Sequence, residues 1–318
     1  MKEKCQVAAA DKAIPPRVTK WRDRELMASD SSAIARDTVF GKNPSVLAEL
    51  MLDQKDGNPS AFRSLAELCR QAGALDEARQ LYERLAVLAP ADARARALTE
   101  ILNRRPVSSP PAVDVVWPTP FVRLLDFFPA EVHAEVKAMT ADSLAQFVAS
   151  AVSRDGQGLI DLSGRVSAVL PKSKAFSRRF RPFIAAAVVD HDVARVLGVE
   201  PSKLRRYEMQ VTCHGDGAFF KAHADDGKES YRYRRISYVY YFHYSPKRFS
   251  GGQLRLFDGA VEAESYAQNA YTRIEPTDNS IVFFPSAAAH EVEPVTVESG
   301  AMADGRFSLN GWILEAAD

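Results

Sequence analysis

His223 and Asp225 stand two residues apart in KAHADD. In an extended chain, residues i and i+2 project from one face, so this spacing aims an imidazole and a carboxylate at one point. A third ligand is available in His290, within FFPSAAAHEVEPV, where a strand, a loop and a new strand return a histidine to the same mouth of a barrel. Two histidines and one carboxylate are the facial donor set of non-haem iron(II) oxygenases, which keeps coordination positions open for substrate and oxygen. Arg306, at the start of RFSLNGWIL, points to the reaction class. Its planar fork grips a carboxylate through two parallel hydrogen bonds and keeps its charge, which suits the far end of an oxo-diacid whose other end chelates the metal. Ser308 shares the face of that strand and offers one more hydrogen bond. Asp225 argues against a halogenase, where the halide needs the position the carboxylate fills.

Strands must hold these residues. After Pro201, the runs KLRRYEMQVTCH, ISYVYYFHY, QLRLFD, YTRIEP, SIVFFP, HEVEPVT and FSLNGWIL are short, β-branched and aromatic, and turn-forming DG, SGG and TDN segments separate them. Many short strands in succession predict a sandwich, jelly roll or barrel. Upstream, PFVRLLDFF predicts a strand, AEVHAEVKAMTADSLAQFVASAV an amphipathic helix, and RRFRPFIAAAVVDHDVARVLGV a second, more buried helix. Residues 31–105 carry a helical period. Within them, Phe62, Leu65, Ala66, Cys69, Gly73, Ala78, Tyr82 and Pro90 fall where a tetratricopeptide repeat has its large, small and helix-ending residues, so the stretch resembles one such unit with a flanking helix on each side. Residues 1–30 show no sustained period and read as a flexible N-terminus. The proline- and serine-rich stretch predicts a linker over 106–117, which leaves 118–318 as the second domain.

A chain of 318 residues accommodates two domains. Forty-one basic residues balance forty-one acidic ones, so no overall field draws the protein to nucleic acid or an anionic membrane. Cys5, Cys69 and Cys213 are too few and scattered for a disulfide framework, which suits a reducing compartment and a cytoplasmic location. No apolar run is long enough for a signal sequence or a membrane span. The basic stretch PKSKAFSRRFRPF places Phe176, Phe180 and Ile184 at helical spacing, so its aromatics read as core and no nucleic acid is expected. His133, His191, His214 and His243 read as ordinary polar or packing residues. Gly251-Gly252 and Asp216-Gly217 read as turns.

Together GDGAFFKAHADD, RRISYVYYF, SGGQLRLF, IVFFPSAAAHEVEPV and GRFSLNGWIL resemble the prolyl 4-hydroxylase-like branch of the 2-oxoglutarate and iron(II) dioxygenases, over roughly residues 118–316. The resemblance implies an α+β chain: a double-stranded β-helix (jelly-roll) catalytic domain with packing helices, preceded by a small all-α helical-hairpin region. It implies hydroxylation of an unactivated C–H bond coupled to decarboxylation of 2-oxoglutarate, with iron(II), O2 and, in vitro, ascorbate. His223, Asp225 and His290 match the metal ligands of that branch and Arg306 its co-substrate clamp. Tyr241 matches a tyrosine that often bonds the same carboxylate, and Trp312 an aromatic that commonly lines the pocket.

The chain departs from the pattern twice. Cys213 stands where some members have a tyrosine ten residues before the first histidine, and the turn VESGAMADG between His290 and Arg306 is longer than in many relatives. Arg234, Arg255 and Arg273 are the alternative clamps. The polar segment DDGKESYRYRR is expected to close over substrate. The favoured substrate is a prolyl or other residue in a peptide or protein, delivered by the helical region as in collagen-type prolyl hydroxylases, which pair similar helices with such a barrel. The alternatives are a free amino acid or natural-product scaffold, a non-enzymatic helical-repeat adaptor with a vestigial barrel, and a cupin-type hydrolase or isomerase, which has no need of Arg306. The helices equally suit dimerisation or the shielding of a barrel edge, and the sequence leaves the oligomeric state open.

Overall fold

A computed structural model describes residues 44–52, 57–108, 115–150, 152–154, 157–159, 163–227, 231–260 and 265–316. The expected flexible N-terminus, residues 31–43 of the helical region, residues 109–114 of the proline-rich linker and the centre of DDGKESYRYRR lie outside the described residues.

Among the described residues four helices come first: α1 (Pro44–Leu52), α2 (Pro59–Ala72), α3 (Leu75–Leu88) and α4 (Ala93–Leu102). The start of α2 is fixed by Pro59 in its first turn and by the Asn58 side chain, which accepts from the Ser60 amide at 2.9 Å. Its end is fixed by Gly73, whose φ of 84° closes the helix in the left-handed region. The four pack around Phe62, Leu65, Cys69, Leu81, Tyr82, Leu85 and Leu98. They also touch the barrel directly.

The next elements are β1 (Val122–Leu124), α5 (Ala130–Ala141), β2 (Val148–Ala149), β3 (Val152–Arg154), β4 (Gln157–Leu159), β5 (Arg165–Val166), β6 (Ala168–Val169), α6 (Lys174–Asp190) and α7 (Val193–Val196). The strands β7 (Leu204–His214), β8 (Phe219–His223), β9 (Arg234–Phe242), β10 (Ser250–Gly251), β11 (Leu254–Ala260), β12 (Ser265–Ile274), β13 (Ser280–Pro285), β14 (His290–Val292), β15 (Val295–Thr296) and β16 (Arg306–Glu315) follow. The expected helix from Ala130 to Val152 stops at Ala141. Thr140 Oγ1 and Ser143 Oγ donate to the carbonyls of Val136 and Met139, local bonds that compete with the helix ladder, and FVASAV turns into strand. The second expected helix breaks between α6 and α7, at Asp192, whose φ is 50°.

A seven-stranded sheet runs in the order β1-β13-β9-β16-β7-β6-β2 and a five-stranded sheet in the order β12-β11-β14-β8-β5, every pairing antiparallel. Paired antiparallel sheets of this kind are what a jelly roll requires. The period-2 alternation of the strands sorts their residues. Ile236, Tyr238, Tyr240 and Phe242 of β9, Phe307, Leu309 and Ile313 of β16, and Ile281 and Phe283 of β13 join one core with Phe176, Phe180 and Ile184 of α6. Their neighbours Tyr241, Val282 and Phe284 belong to a second core, shared with Leu254 and Leu256 of β11 and with Ile101 of α4. Both faces of β9 and β13 are therefore buried, which explains their nearly continuous apolar composition.

Helix α2 covers β12, the edge strand of the smaller sheet. Gln71 Nε2 donates to the Asn269 carbonyl at 2.9 Å, and Arg70 reaches Asp258 of β11 at 2.8 Å and Thr272 of β12 at 3.1 Å. An uncovered edge offers unpaired backbone groups to other chains, so this packing gives the helices a protective role. Among the described residues no helix is long and apolar enough to cross a membrane.

Candidate active site

His223 ends β8 and His290 opens β14, and the two are register partners in the smaller sheet. Asp225 lies just past β8, where its amide donates to the Ser286 carbonyl at 2.9 Å. His223 Nε2 is 3.7 Å from Asp225 Oδ1 and His290 Nε2 is 3.6 Å from Asp225 Oδ2. One ligand atom from each of the three lies within 4.8 Å of the others, a spacing that can hold a metal ion.

The tautomers are arranged for coordination. His223 Nδ1 donates to the Lys221 carbonyl at 2.8 Å and His290 Nδ1 to the Ala288 carbonyl at 2.9 Å, so each Nε2 keeps its lone pair turned toward Asp225. Burial, and then the neighbouring His290 ring, lower the His223 pKa to about 3, which keeps that imidazole neutral. Burial pushes Asp225 upward, but the two imidazoles and the Ser237 hydroxyl, which donates to Oδ2 at 2.6 Å, outweigh it and hold the carboxyl below its ordinary value. A neutral His223 imidazole beside an ionised Asp225 suits metal coordination.

Arg306, Ser308 and Trp312 project from alternate positions of β16 into the cavity that also holds the three ligands. Arg306 is only 2% exposed, and no carboxylate lies against it among the described residues. It donates through Nη1 to His214 Nδ1 at 3.1 Å, and its guanidinium sits 4.7 Å above the Tyr241 ring. Arginine has only donors, so His214 Nδ1 must be the acceptor and its proton sits on Nε2. Burial, and then the Arg306 and Arg165 guanidiniums, hold His214 well below its usual pKa, consistent with that neutral state.

Arg306 Nε, His214 Nε2 and Tyr241 Oη are all buried without a hydrogen-bond partner. Leaving such groups unmade costs about 1–3 kcal/mol each, and more for a charge. A carboxylate reaching this end of the cavity would give the Arg306 guanidinium the anionic partner it lacks.

Each expected residue has a definite place. The structure brings together His223, Asp225, His290, Arg306, Ser308 and Trp312 around one cavity. Tyr241 packs in the barrel core beneath the Arg306 guanidinium. Cys213 belongs to the core on the α6 side of β7, while Thr212 and His214 line the cavity, so the Cys213 side chain lies on the opposite face from the co-substrate position. The three alternative clamps are engaged elsewhere: Arg255 with Glu291 and Glu293, Arg273 with Glu293, and Arg234 with Glu208 and the Trp312 ring.

Four residues escaped the sequence reading. His214 was read as ordinary, yet it faces Arg306 across the β7–β16 pairing. Ser237 steadies Asp225, and Arg165 lines the cavity. Gly252 was read as a turn residue, and its φ is indeed 71°, but a Cβ there would come within 2.7 Å of Arg306 Cδ. Its missing side chain is what lets Arg306 lie where it does. Alternation along β7 and β9 is the signal that could have found His214 and Ser237. Gly252 and Arg165 needed the tertiary contacts.

Residues 209–314 match the family described as the 2OG-Fe(II) oxygenase superfamily. Over 118 residues the chain is 42% identical to an uncharacterised PKHD-type hydroxylase of Synechocystis sp., a match covering 37% of this chain and 39% of that protein. Among solved structures, a Pseudomonas putida prolyl-4-hydroxylase is similar at 20% identity and a TM-score of 0.42, over 63% of this chain and 94% of that one. A prolyl hydroxylase of Trichoplax adhaerens, solved with a peptide fragment of hypoxia-inducible factor, is similar at 17% identity and a TM-score of 0.45, over 61% of this chain and 83% of that one. The segment of the chain that is similar to the 2OG-Fe(II) oxygenase superfamily thus carries His223, Asp225, His290 and Arg306.

Proposed function

We propose that this protein is an iron(II)- and 2-oxoglutarate-dependent dioxygenase that hydroxylates an unactivated C–H bond, with His223, Asp225 and His290 as the metal ligands and Arg306 as the co-substrate clamp. The observation that carries the reading is the buried Arg306 guanidinium, which shares a cavity with the three ligands and has no carboxylate partner. A buried, unpaired charge costs several kcal/mol, and a cupin-type hydrolase or a vestigial barrel would gain nothing by keeping it.

Held by His223, Asp225 and His290, iron(II) would supply, with 2-oxoglutarate, the oxygen activation that hydroxylation needs. The chain's own residues hold and orient. The Lys221 and Ala288 carbonyls fix the two imidazoles, Ser237 fixes one oxygen of Asp225, and Arg306 and His214 present donors at the far end of the cavity. Phe284 and Leu254 line the same space and make it apolar.

The favoured substrate class is a prolyl or other residue in a peptide or protein, which rests on the resemblance to prolyl 4-hydroxylases. The packing of α2 over β12 removes the support that a free-standing peptide-binding array would lend, because it gives the helices another task. Arg306→Lys is expected to weaken 2-oxoglutarate by about ten- to a hundredfold, since an ammonium cannot reproduce the two-pronged contact. Gly252→Ala is expected to act in the same direction by pressing on Arg306 Cδ, without altering metal affinity. Titration of 2-oxoglutarate into the metal-loaded protein checks both, and an unchanged affinity in Arg306→Lys would place the clamp elsewhere.

A further inference from the structure

A second guanidinium in the cavity has no task in the scheme above. Arg165 opens β5, the edge strand beside β8, and its register partner is Phe220. Its Cζ lies 4.8 Å above the Phe220 ring, which stacks in turn on His223 with centroids 3.6 Å apart. The guanidinium is thus stacked on the metal-ligand side through Phe220, and its charge also reaches His214, against which Arg306 sits. Its orientation is fixed from behind: Nε donates to Ser167 Oγ at 2.8 Å, and Ser167 Oγ donates to Ser150 Oγ at 2.9 Å. Among the described residues nothing accepts from either Nη, and no carboxylate lies within ion-pair distance. Burial pulls its pKa down, opposed only by the charge of Asp225.

A charge count separates its role from that of Arg306. A divalent metal and two guanidiniums bring four positive charges, while Asp225 and the two carboxylates of 2-oxoglutarate bring three negative ones, with His214 neutral. Among the described lining residues one positive charge is left over, and with Arg306 facing a 2-oxoglutarate carboxylate it falls to Arg165. In a half-enclosed cavity that surplus attracts an anion, and the two Nη groups, left free by the Nε bond to Ser167, match a carboxylate.

The geometry points to Arg165 as the residue that binds a carboxylate of the primary substrate close to the metal, so that the substrate is an acid. A carboxyl-terminal residue of a peptide, an acidic side chain and a free amino acid all meet this description. The inference rests on the function proposed above and narrows its substrate class. The other source of the same chemistry is the chelating end of 2-oxoglutarate, and the experiment separates the two.

The full chain, loaded with iron(II) and 2-oxoglutarate without oxygen, is expected to display the visible charge-transfer band of the chelate, and this band is expected to shift when a substrate binds beside the metal. The probes are the free amino acids and a set of short peptides, each tested as the acid and as its primary amide. Acids are expected to perturb the band of the wild type more strongly than their amides. In Arg165→Gln that preference is expected to fall by about ten- to a hundredfold while 2-oxoglutarate affinity changes by less than about twofold, and Arg165→Lys is expected to keep part of the preference. The idea is overturned if acids and amides act alike on the wild type, if no acid perturbs the band, or if Arg165→Gln loses 2-oxoglutarate itself. No band at all in the wild type would instead overturn the proposed function on which the inference stands.

Discussion

Alanine in place of His290 is expected to leave a folded protein that neither retains iron(II) nor turns over. The side chain is 4% exposed and opens a three-residue strand whose backbone pairing does not depend on the imidazole, so the fold has no need of the ring. The metal does. Two remaining donors, His223 and Asp225, cannot hold a hard divalent ion in facial geometry, and even the loss of an outer partner such as Ser237 costs such sites about ten- to a hundredfold in affinity or activity. His223→Ala should behave in the same way. The measurement is metal content after dialysis, with succinate release on added iron(II). Full activity in either variant would remove that residue from the centre.

The second large effect lies far from the cavity. Asp258 is 0% exposed and accepts from Arg70 Nη1 at 2.9 Å and Nη2 at 2.8 Å, and from Arg94 Nη2 at 2.5 Å. Arg70, itself 0% exposed, also pairs with Glu67 at 2.6 Å. Burial alone would raise the Asp258 pKa, but the two guanidiniums outweigh it and keep the carboxyl below its ordinary value, hence ionised. Asp258→Ala deletes the shared acceptor and leaves buried cations behind, which is expected to cost about 3–5 kcal/mol and to lower Tm by about ten degrees. By contrast, Asp76→Ala removes an exposed partner 4.0 Å from Arg79 and should change stability by less than about 1 kcal/mol. Thermal and denaturant unfolding of both variants read the difference. Equal, small losses would mean that the helices do not brace the barrel through Asp258.

That ion cluster also marks what a sequence conceals. Arg70 and Asp258 stand 188 positions apart, on elements that look unrelated until α2 is laid over β11 and β12. The clustering of His223, Asp225 and His290 was legible because its signal is local: an HxD spacing at the end of a strand, then a histidine and an arginine each at the start of a strand. The strand alternation of β9 and β16 was legible for the same reason, and it correctly gave Ser308 and Arg306 one face. His214 was not, because a single histidine in a strand acquires meaning only when the register sets it opposite Arg306. Arg165 and Gly252 depend on contacts between segments distant in sequence. The length of α5 was overestimated because an apolar period continues past the point where Thr140 and Ser143 turn their hydroxyls onto the backbone.

The central claim, that one cavity joins a metal triad to a carboxylate clamp, is tested most directly by succinate. Purified full-length protein, supplied with iron(II), ascorbate, O2 and 2-oxoglutarate, is expected to release succinate above the no-enzyme background. Release should rise further with an accepted substrate and fall to background when iron is chelated or Arg306 is replaced by alanine. Succinate release that persists in Arg306→Ala with unchanged dependence on 2-oxoglutarate concentration, or none from the wild type across acids, amides and peptides, would contradict it.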